Sequence, residues 1–334
     1  MKIKYSHNLL ACLFLIVFTK LVSQDAQFTQ YFNNPIYLNP ANTGNTQEKR
    51  VIANYRNQWL GLSKAFQTMN ISGDYKFADE KNGVGIQIWR DMAGSSRLTT
   101  TCIGASYAYN LKTKSEIDIR SGIQVNYVSR SVNTSNLVFN DQLMPNAPAV
   151  SADANTQNSR FGYLDINAGV LINKINYWAG ITFSHINRPV TSELDKTSKL
   201  PMKISIHGAY KIIQARKANE IVKYISPMLN YRMQANFDQL DVGVLFVNVP
   251  FNFGIWYRGL PVKKYLPTYP NNDALCFLLG MDLKDQKIKV AYSYDICLNR
   301  LVKSSTGSHE LSLIYEIGKR AEKGKKQVIS GPKF

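Results

Sequence analysis

The sequence is poor in the residues on which most reactive or cross-linked sites depend. It has 4 cysteines and 4 histidines in 334 residues, and one of each falls within the first 23 residues. The remaining Cys102, Cys276 and Cys297 are too few for a disulfide-stapled fold, and their spacing matches no metal site. Nothing resembles a phosphate-binding glycine loop or a set of paired metal ligands. The composition therefore predicts no cofactor and no metal.

Long apolar runs are also missing from the body of the chain. No segment after residue 23 approaches the roughly 20 continuous apolar residues of a membrane helix. The first 23 residues have Lys2 and Lys4, an apolar run from Leu9 to Phe18 and a small-residue end at Ser23, which is typical of a secretory signal peptide. We predict cleavage before Gln24. A lipoprotein signal at Cys12 is an alternative, although the apolar run continues past that cysteine.

Acidic residues are scarce beside basic ones, with 23 against 40 and a net charge of +17. Nucleic acid is not an expected partner of an exported protein. We expect the excess of positive charge to face acidic lipid headgroups or an acidic partner. Part of it lies in short turns, and part lies in residues 319–334, which we interpret as a basic periplasmic tail.

Alternation of apolar and polar residues is what the chain has in abundance. In the segment IDIRSGIQVNY, residues 117–127, Ile119, Ile123 and Val125 oppose Arg120 and Gln124. Successive side chains of a strand point to opposite faces, so this segment has one apolar and one polar face. About 14 such segments, each of roughly ten residues, occur between residues 50 and 318. With 19 Tyr, 15 Phe and 4 Trp, the pattern predicts an all-β, transmembrane, antiparallel outer-membrane β-barrel at 50–318.

The connections between the predicted strands differ in length in a regular way. Short turns alternate with connections that include four long pieces: 130–160, 188–200, 260–272 and 298–307. Short periplasmic turns and longer outer loops are typical of outer-membrane barrels. A soluble β-sandwich is the alternative, but it has no reason to sort its loops in this way.

The polar face of the strands predicts the lining of the lumen. The candidate lining residues are Arg56, Asp74, Lys76, Asp118, Arg120, Asp165, His207 and Asp295. Periodicity leaves open whether this lumen is a water-filled channel or is filled by the protein itself. Ser205 and His207 share one face of a strand, and a nucleophilic pair there is the only enzymatic alternative. We favour ordinary lining and predict no catalytic residues.

Cys276 and Cys297 fall on neighbouring predicted strands and share the polar face. Counted from the turn near Asp285, they are offset by roughly one strand step. A disulfide between them is possible in an oxidising periplasm.

Residues 24–49 precede the first predicted strand and form what we call the N-terminal arm. Its Asn-Pro steps, at Pro35 and Pro40, predict extended geometry and argue against a helix or a central strand. The arm is too apolar to lie free in water. We predict that it fills or caps the periplasmic mouth of the barrel, with docking of a periplasmic partner as the alternative. The candidate plug residues are Phe28, Tyr31, Phe32, Pro35, Tyr37, Leu38 and Pro40.

The arm also resembles a known family. Gln27–Tyr31, Asn34-Pro35, Leu38–Ala41 and Gly44 are similar to the start of the PorP/SprF family of the type IX secretion system of Bacteroidetes. The likeness continues in order through NYRNQW at 54–59, residues 90–112, NLVFNDQL at 136–143, IWYRG at 255–259, DALCFLLG at 273–280, AYSYDI at 291–296 and GSHELSLIY at 307–315. Ala26 and Ser63-Lys64 depart from it.

The resemblance implies a non-enzymatic outer-membrane barrel that supports export and surface attachment of specific cargo, such as a gliding adhesin. The implied partners are a cargo protein with a C-terminal sorting domain and periplasmic ring or motor components of the secretion system. An outer-membrane channel or carrier for small or hydrophobic solutes is the rival function, motivated by the polar lumen.

Overall fold

The computed structural model describes residues 25–62, 66–94, 98–112, 117–132, 140–143, 160–192, 196–217, 220–266, 269–283, 286–299, 302 and 304–318. Residues 1–23, the tail 319–334 and most of the predicted loop 130–160 lie outside the described residues. The strands are β1 (Lys49–Gln58), β2 (Phe66–Lys76), β3 (Asn82–Ala93), β4 (Leu98–Lys112), β5 (Asp118–Ser131), β6 (Arg160–Asn173), β7 (Tyr177–Ser184), β8 (Lys203–Tyr210), β9 (Ile212–Lys217), β10 (Glu220–Gln234), β11 (Phe237–Asn248), β12 (Phe251–Leu266), β13 (Tyr269–Leu283), β14 (Ile288–Cys297) and β15 (Ser308–Ile317).

The strands form one closed antiparallel barrel. Each pairs with its neighbours in the chain, β1 pairs with β15, and β10 pairs with β11, so the sheet returns on itself. β8 and β9 both pair with β10 and are consecutive segments of one wall strand, interrupted at Lys211. The wall therefore has the 14 strands expected, and the soluble sandwich is wrong.

The wall is apolar outside and polar inside. On β2, Met69 and Ile71 are 43% and 59% exposed, whereas Asn70 and Ser72 are 1% and 2% exposed. A soluble protein buries its apolar side chains and exposes its polar ones. The outer surface of this barrel is apolar and therefore suits contact with lipid. Among the described residues, no helix is long and apolar enough to cross a membrane.

The two ends of the barrel differ, as the loop lengths predicted. We call the end that carries the turns at 174–176 and 249–250 the short-turn end, and the end that carries the connections at 132–159 and 185–202 the long-loop end. The predicted loop at 260–272 is wrong, because β12 and β13 continue through most of it. A register shift between Arg258 and Gly259 realigns the two strands, so their pairing resumes beyond it.

The N-terminal arm is folded rather than extended. It contains two 3₁₀ turns, Tyr31–Asn33 and Pro40–Asn42, around a single α-helical turn, Pro35–Leu38. The prediction that the prolines exclude a helix is wrong. Pro35 stands in the first turn of the helix, where its fixed φ suits the helix and its missing N–H costs nothing. Asn39, before Pro40, does have the extended backbone expected, with φ −160° and ψ 121°.

Candidate functional site

The N-terminal arm runs inside the barrel along most of its length. Asp25 contacts His185 and Lys203, which lie where β7 and β8 meet the long-loop end. Gly44 packs near Gly83, at the short-turn end where β1 begins. The sequence predicted a cap on one mouth, but the arm reaches much farther.

Thr29 and Gln30 anchor the arm to the strands that close the barrel. Their backbone N–H groups donate to the two carboxylate oxygens of Glu310, at 2.6 and 3.1 Å. The Thr29 hydroxyl donates to Asp295 Oδ2 at 2.6 Å and accepts from Arg56. Charge-assisted hydrogen bonds of this kind are stronger than neutral ones, so the arm is held firmly where β1, β14 and β15 meet.

A buried network of charges surrounds this anchor. The Asp295 carboxylate lies 2.9 Å from the Arg56 guanidinium and 3.0 Å from that of Arg258. Arg258 also binds Asp241 at 2.7 Å, and Arg232 binds the same carboxylate at 2.6 Å. These side chains are almost entirely buried, apart from Arg232, so each charge depends on its partners for compensation.

A second set of contacts holds the arm at the short-turn end. Asp74 makes a bidentate pair with Arg50, at 3.0 and 2.7 Å, and also accepts from the Gly44 N–H at 2.8 Å. Arg120 donates to the carbonyl oxygens of Ala41 and Thr43 at 2.9 and 2.6 Å. Backbone groups that no strand pairs are therefore satisfied by inward-pointing side chains.

Side-chain amides make the contacts between these two anchors. Asn39 Nδ2 donates to the carbonyl oxygens of Val170 and Ile181 at 3.1 and 3.2 Å, and lies 3.2 Å from His207 Nε2. The Asn34 side-chain oxygen accepts from Asn70 at 3.1 Å. Asn70 belongs to a ladder of inward amides that crosses the wall through Asn54, Asn70, Gln87, Gln124 and Asn167.

One side of the lumen is apolar and receives the aromatic residues of the arm. Phe32 is 1% exposed and meets the Trp256 ring edge-on at 5.8 Å between centroids. Tyr31 and Phe32 belong to the same buried cluster as Leu245, Trp256 and Leu278. The lumen is therefore polar over part of its wall only, and resembles the core of a soluble protein elsewhere.

Close approach of the arm to the wall depends on Gly122. A Cβ added there would lie 2.5 Å from the Pro40 carbonyl oxygen and would also overlap the backbone of Ala41. We expect Gly122→Ala to displace this part of the arm and to cost about 1–3 kcal/mol of unfolding free energy, because neither backbone segment has room to move. Limited proteolysis of the arm and urea unfolding in lipid vesicles measure both effects.

Gly280→Ala is the matched control for Gly122→Ala. A Cβ at Gly280 would meet its nearest neighbours at 3.4 and 3.5 Å, which is ordinary contact. Equal protease resistance of the two variants would contradict the role given to Gly122.

His185 joins the start of the arm to the wall. Its Nδ1 lies 2.8 Å from Asp165 Oδ1, and its Nε2 lies 2.8 Å from Asp25 Oδ2. Burial alone would lower the pKa of His185, but the carboxylates of Asp25 and Asp165 raise it to about 9. Burial would raise the pKa of Asp25, but Lys203 and His185 hold it well below its usual range. The contact is therefore ionic at neutral pH.

The raised pKa of His185 predicts that attachment of the start of the arm to the wall depends on pH. The ionic stabilisation is complete below the ordinary histidine pKa of 6.5 and is lost as the pH rises through about 9. Hydrogen exchange of residues 25–28, corrected for intrinsic rates, should therefore accelerate between pH 7 and pH 10. His185→Gln should exchange faster at pH 7 and lose this pH dependence. A parallel response in both proteins would contradict the assignment.

A cavity of about 60 Å³ lies between the arm and the inner faces of β8, β10 and β11, with Asp25, Phe28, Ser205, Asn230 and Arg232 among its lining. Such a volume holds a few water molecules, whereas pockets for small ligands span about 300–1,000 Å³.

Most of the predicted site residues either belong to the arm or bond to it. Of the seven candidate plug residues, six are buried and Tyr37 is partly buried, with its hydroxyl donating to the Ala26 carbonyl oxygen at 2.6 Å. Of the eight candidate lining residues, the five that bond directly to the arm are Arg56, Asp74, Arg120, His207 and Asp295. Asp165 acts through His185, and Lys76 and Asp118 are partly buried at the short-turn end.

The possible disulfide between Cys276 and Cys297 is not formed in this structure. Both thiols are buried and free. Cys276 pairs across the ladder with Asp295, and Cys297 pairs with Ala274, so the two cysteines are diagonal neighbours. Diagonal Cα atoms lie about 7–8 Å apart, beyond the usual reach of a disulfide.

Several residues of the site were not singled out from the sequence. They are Arg50, Glu310, Arg258, Asp241, Asn34 and Asn39. Strand parity would have assigned the first four to the lumen, but nothing in it indicated that they meet the arm. Ser205 and His207 do share an inward face, and His207 contacts Asn39 of the arm. Within the described ranges, no three His, Cys, Asp or Glu side chains come together as a metal site.

The chain is similar to a protein family by sequence and to several solved structures by fold. The family model described as type IX secretion system membrane protein PorP/SprF matches residues 21–315. No curated protein matches the chain.

Solved structures similar to the chain are also barrels. The CymD monoaromatic hydrocarbon channel has 11% identity and a TM-score of 0.47 over 86% of this chain and 93% of its own. A Pseudomonas aeruginosa FadL homologue has 10% identity and a TM-score of 0.45 over 85% and 94%. CdiB from Acinetobacter baumannii has 7% identity and a TM-score of 0.44 over 81% and 60%. Likenesses this distant say nothing about function.

Proposed function

The chain belongs to the PorP/SprF family of type IX secretion system membrane proteins, and on that premise we propose that it is a non-enzymatic outer-membrane partner in the export and surface attachment of a specific cargo. The cargo would be a protein with a C-terminal sorting domain, such as a gliding adhesin. In this proposal the connections at the long-loop end bind the cargo, and the short-turn end faces the periplasmic ring or motor components.

The filled lumen is the observation that carries this proposal. The arm bonds to inward side chains on strands from β1 to β15, and the cavity beside it measures about 60 Å³. A solute channel or carrier needs a continuous path or a pocket large enough for its ligand. A barrel whose interior is occupied by its own chain acts through its two ends.

Deletion of the gene tests the specific role. We expect one surface protein to remain unattached while the other proteins exported by the type IX system reach their destination. Equal failure of all type IX cargo would contradict a cargo-specific role and would favour a core component. Reintroducing the intact gene should restore the missing surface protein.

Conductance tests the rival function. Purified protein in planar bilayers should show no stable open channel at neutral pH, whereas a diffusion channel would conduct. A steady conductance of the intact chain would contradict the filled-lumen argument while leaving family membership unaffected.

A further inference from the structure

The hairpin of β9 and β10 projects beyond its two neighbouring turns at the short-turn end. The Lys211 N–H donates to the Asn176 carbonyl oxygen in the turn between β6 and β7, at 2.5 Å. On the other side, the Val249 N–H in the turn between β11 and β12 donates to Val222 O at 3.0 Å. Residues between these two contacts therefore pass both neighbouring turns. At about 3.3 Å per residue, Ile213 to Lys217 extend the strand by roughly 15 Å.

The projecting strand β9 has one unpaired edge. It pairs with β10 alone, whereas β8 before it pairs with both β7 and β10. Among the backbone hydrogen bonds of the described residues, none joins Ile212–Lys217 to any other strand. A strand edge with free N–H and C=O groups is a template for the addition of another extended chain.

The charge of this hairpin limits what can pair with it. Residues 211–223 contain Lys211, Arg216, Lys217 and Lys223 against the single acidic residue Glu220. The side chains of Arg216, Lys217 and Lys223 are exposed. A second copy of the same edge would bring like charges together, and the basic tail at 319–334 would be repelled as well. An acidic strand is the complementary occupant.

An anionic lipid headgroup is less suited to this surface than a peptide. A headgroup compensates positive charge but leaves backbone N–H and C=O groups unpaired, whereas an extended peptide satisfies both. Ile212, 50% exposed at the base of the edge, offers an apolar contact for a neighbouring side chain. Alternating apolar and acidic residues in a partner strand would match this arrangement.

We infer that the edge of β9, Ile212–Lys217, is a docking strand for an extended acidic segment of a partner protein at the short-turn end. The segment adds to the sheet beside β9 and places carboxylates near Arg216 and Lys217. This rests on the part of the proposed function that has the short-turn end facing periplasmic partners, and it holds or fails separately from the cargo role of the opposite end.

A defined peptide tests the inference with the full-length chain in detergent micelles. The probe is a fluorescent peptide of about eight residues that alternates valine and glutamate, measured by fluorescence anisotropy. We expect saturable binding, weakened about tenfold or more when alternate residues of the probe are N-methylated, because N-methylation blocks pairing but keeps the charge. Equal binding of the methylated probe would overturn the inference in favour of charge attraction alone.

Variants of the chain locate the binding. Replacing residues 214–223 by Asn-Gly leaves the paired residues Ile213 and Tyr224 beside a two-residue turn. It removes the overhang together with the contacts of Val222 and Lys223 to Val249 and Asn248. This variant should keep the heat-modifiable mobility of a folded barrel and lose binding. Lys287→Glu, which reverses an exposed charge on another short turn, should bind normally. Unchanged binding by the shortened hairpin would overturn the assignment, as would complete loss of binding when the chain is placed in phosphatidylglycerol nanodiscs.

Discussion

Deletion of residues 25–43 is expected to convert the filled barrel into one with an open, water-filled lumen. The backbone pairing of β1 with β15 that closes the ring involves no residue of 25–43, so we expect the wall to form without this segment. Barrels of about eight strands are filled by their own side chains, whereas those of about 16 leave a water channel, so a barrel of 14 is near the size that needs filling. Single-channel recording in planar bilayers measures the change.

A peptide of residues 25–43 supplied in trans is the matched control for this deletion. It should suppress the conductance in a saturable way, because Glu310 and Arg120 remain in place to bind its backbone. The same peptide with Thr29 and Gln30 replaced by proline lacks the two N–H donors to Glu310 and should suppress it less. A deleted chain that folds, as judged by heat-modifiable mobility, but does not conduct would contradict the role given to the arm.

Asp295→Ala is expected to be the most destabilising single substitution in the lumen. It leaves the guanidinium groups of Arg56 and Arg258 without the carboxylate that they share, and removes the acceptor of the Thr29 hydroxyl. Breaking a buried ion pair by removing one partner costs about 3–5 kcal/mol. Here two arginines lose a carboxylate at once, and each keeps only one other, Glu310 for Arg56 and Asp241 for Arg258. Urea unfolding in lipid vesicles, followed by tryptophan fluorescence, gives the free energy of unfolding.

Glu48→Ala is the control for this substitution. The Glu48 carboxylate is 44% exposed and lies 3.9 Å from Lys49, so its loss should cost less than about 1 kcal/mol. The free energy of unfolding lost in Asp295→Asn should lie between the losses in Asp295→Ala and Glu48→Ala, since an amide keeps part of the hydrogen bonding but not the charge. Asp295→Ala with the stability of the parent chain would show that water compensates the two arginines.

The wall could be predicted from the sequence because lipid and lumen impose opposite demands on alternate residues. On β5, Ile123 and Val125 face outward and Gln124 faces inward, as their alternation indicated. The same rule fails on β11 to β13, where Leu245, Trp256 and Leu278 face inward and are apolar. Both faces are apolar at these three positions, so alternation carries no signal there, although Asp241 and Arg258 on β11 and β12 are buried in the lumen.

The contacts of the arm could not be predicted in the same way. Alternation assigns a residue to a face but not to a partner, so it put Asp74 and Arg120 in the lumen without indicating Gly44 or Ala41 beside them. The Asn-Pro steps were taken to exclude any helix, but a single turn that begins at Pro35 is compatible with them. Side-chain hydrogen bonds from the wall replace the regular backbone pairing that sequence patterns detect.

The anchor at Thr29 and Gln30 has a consequence for the order of folding. Its partner Glu310 lies 281 and 280 residues farther along the chain, and Asp295 lies 266 residues from Thr29. Glu310 stands on β15, the strand that closes the ring against β1, so these contacts form only when the last strand arrives. Contacts so distant in sequence are entropically slow to form. A segment near the start of the chain therefore reaches these native partners only after nearly the whole protein is in place, so we expect filling of the interior to be a late step of folding.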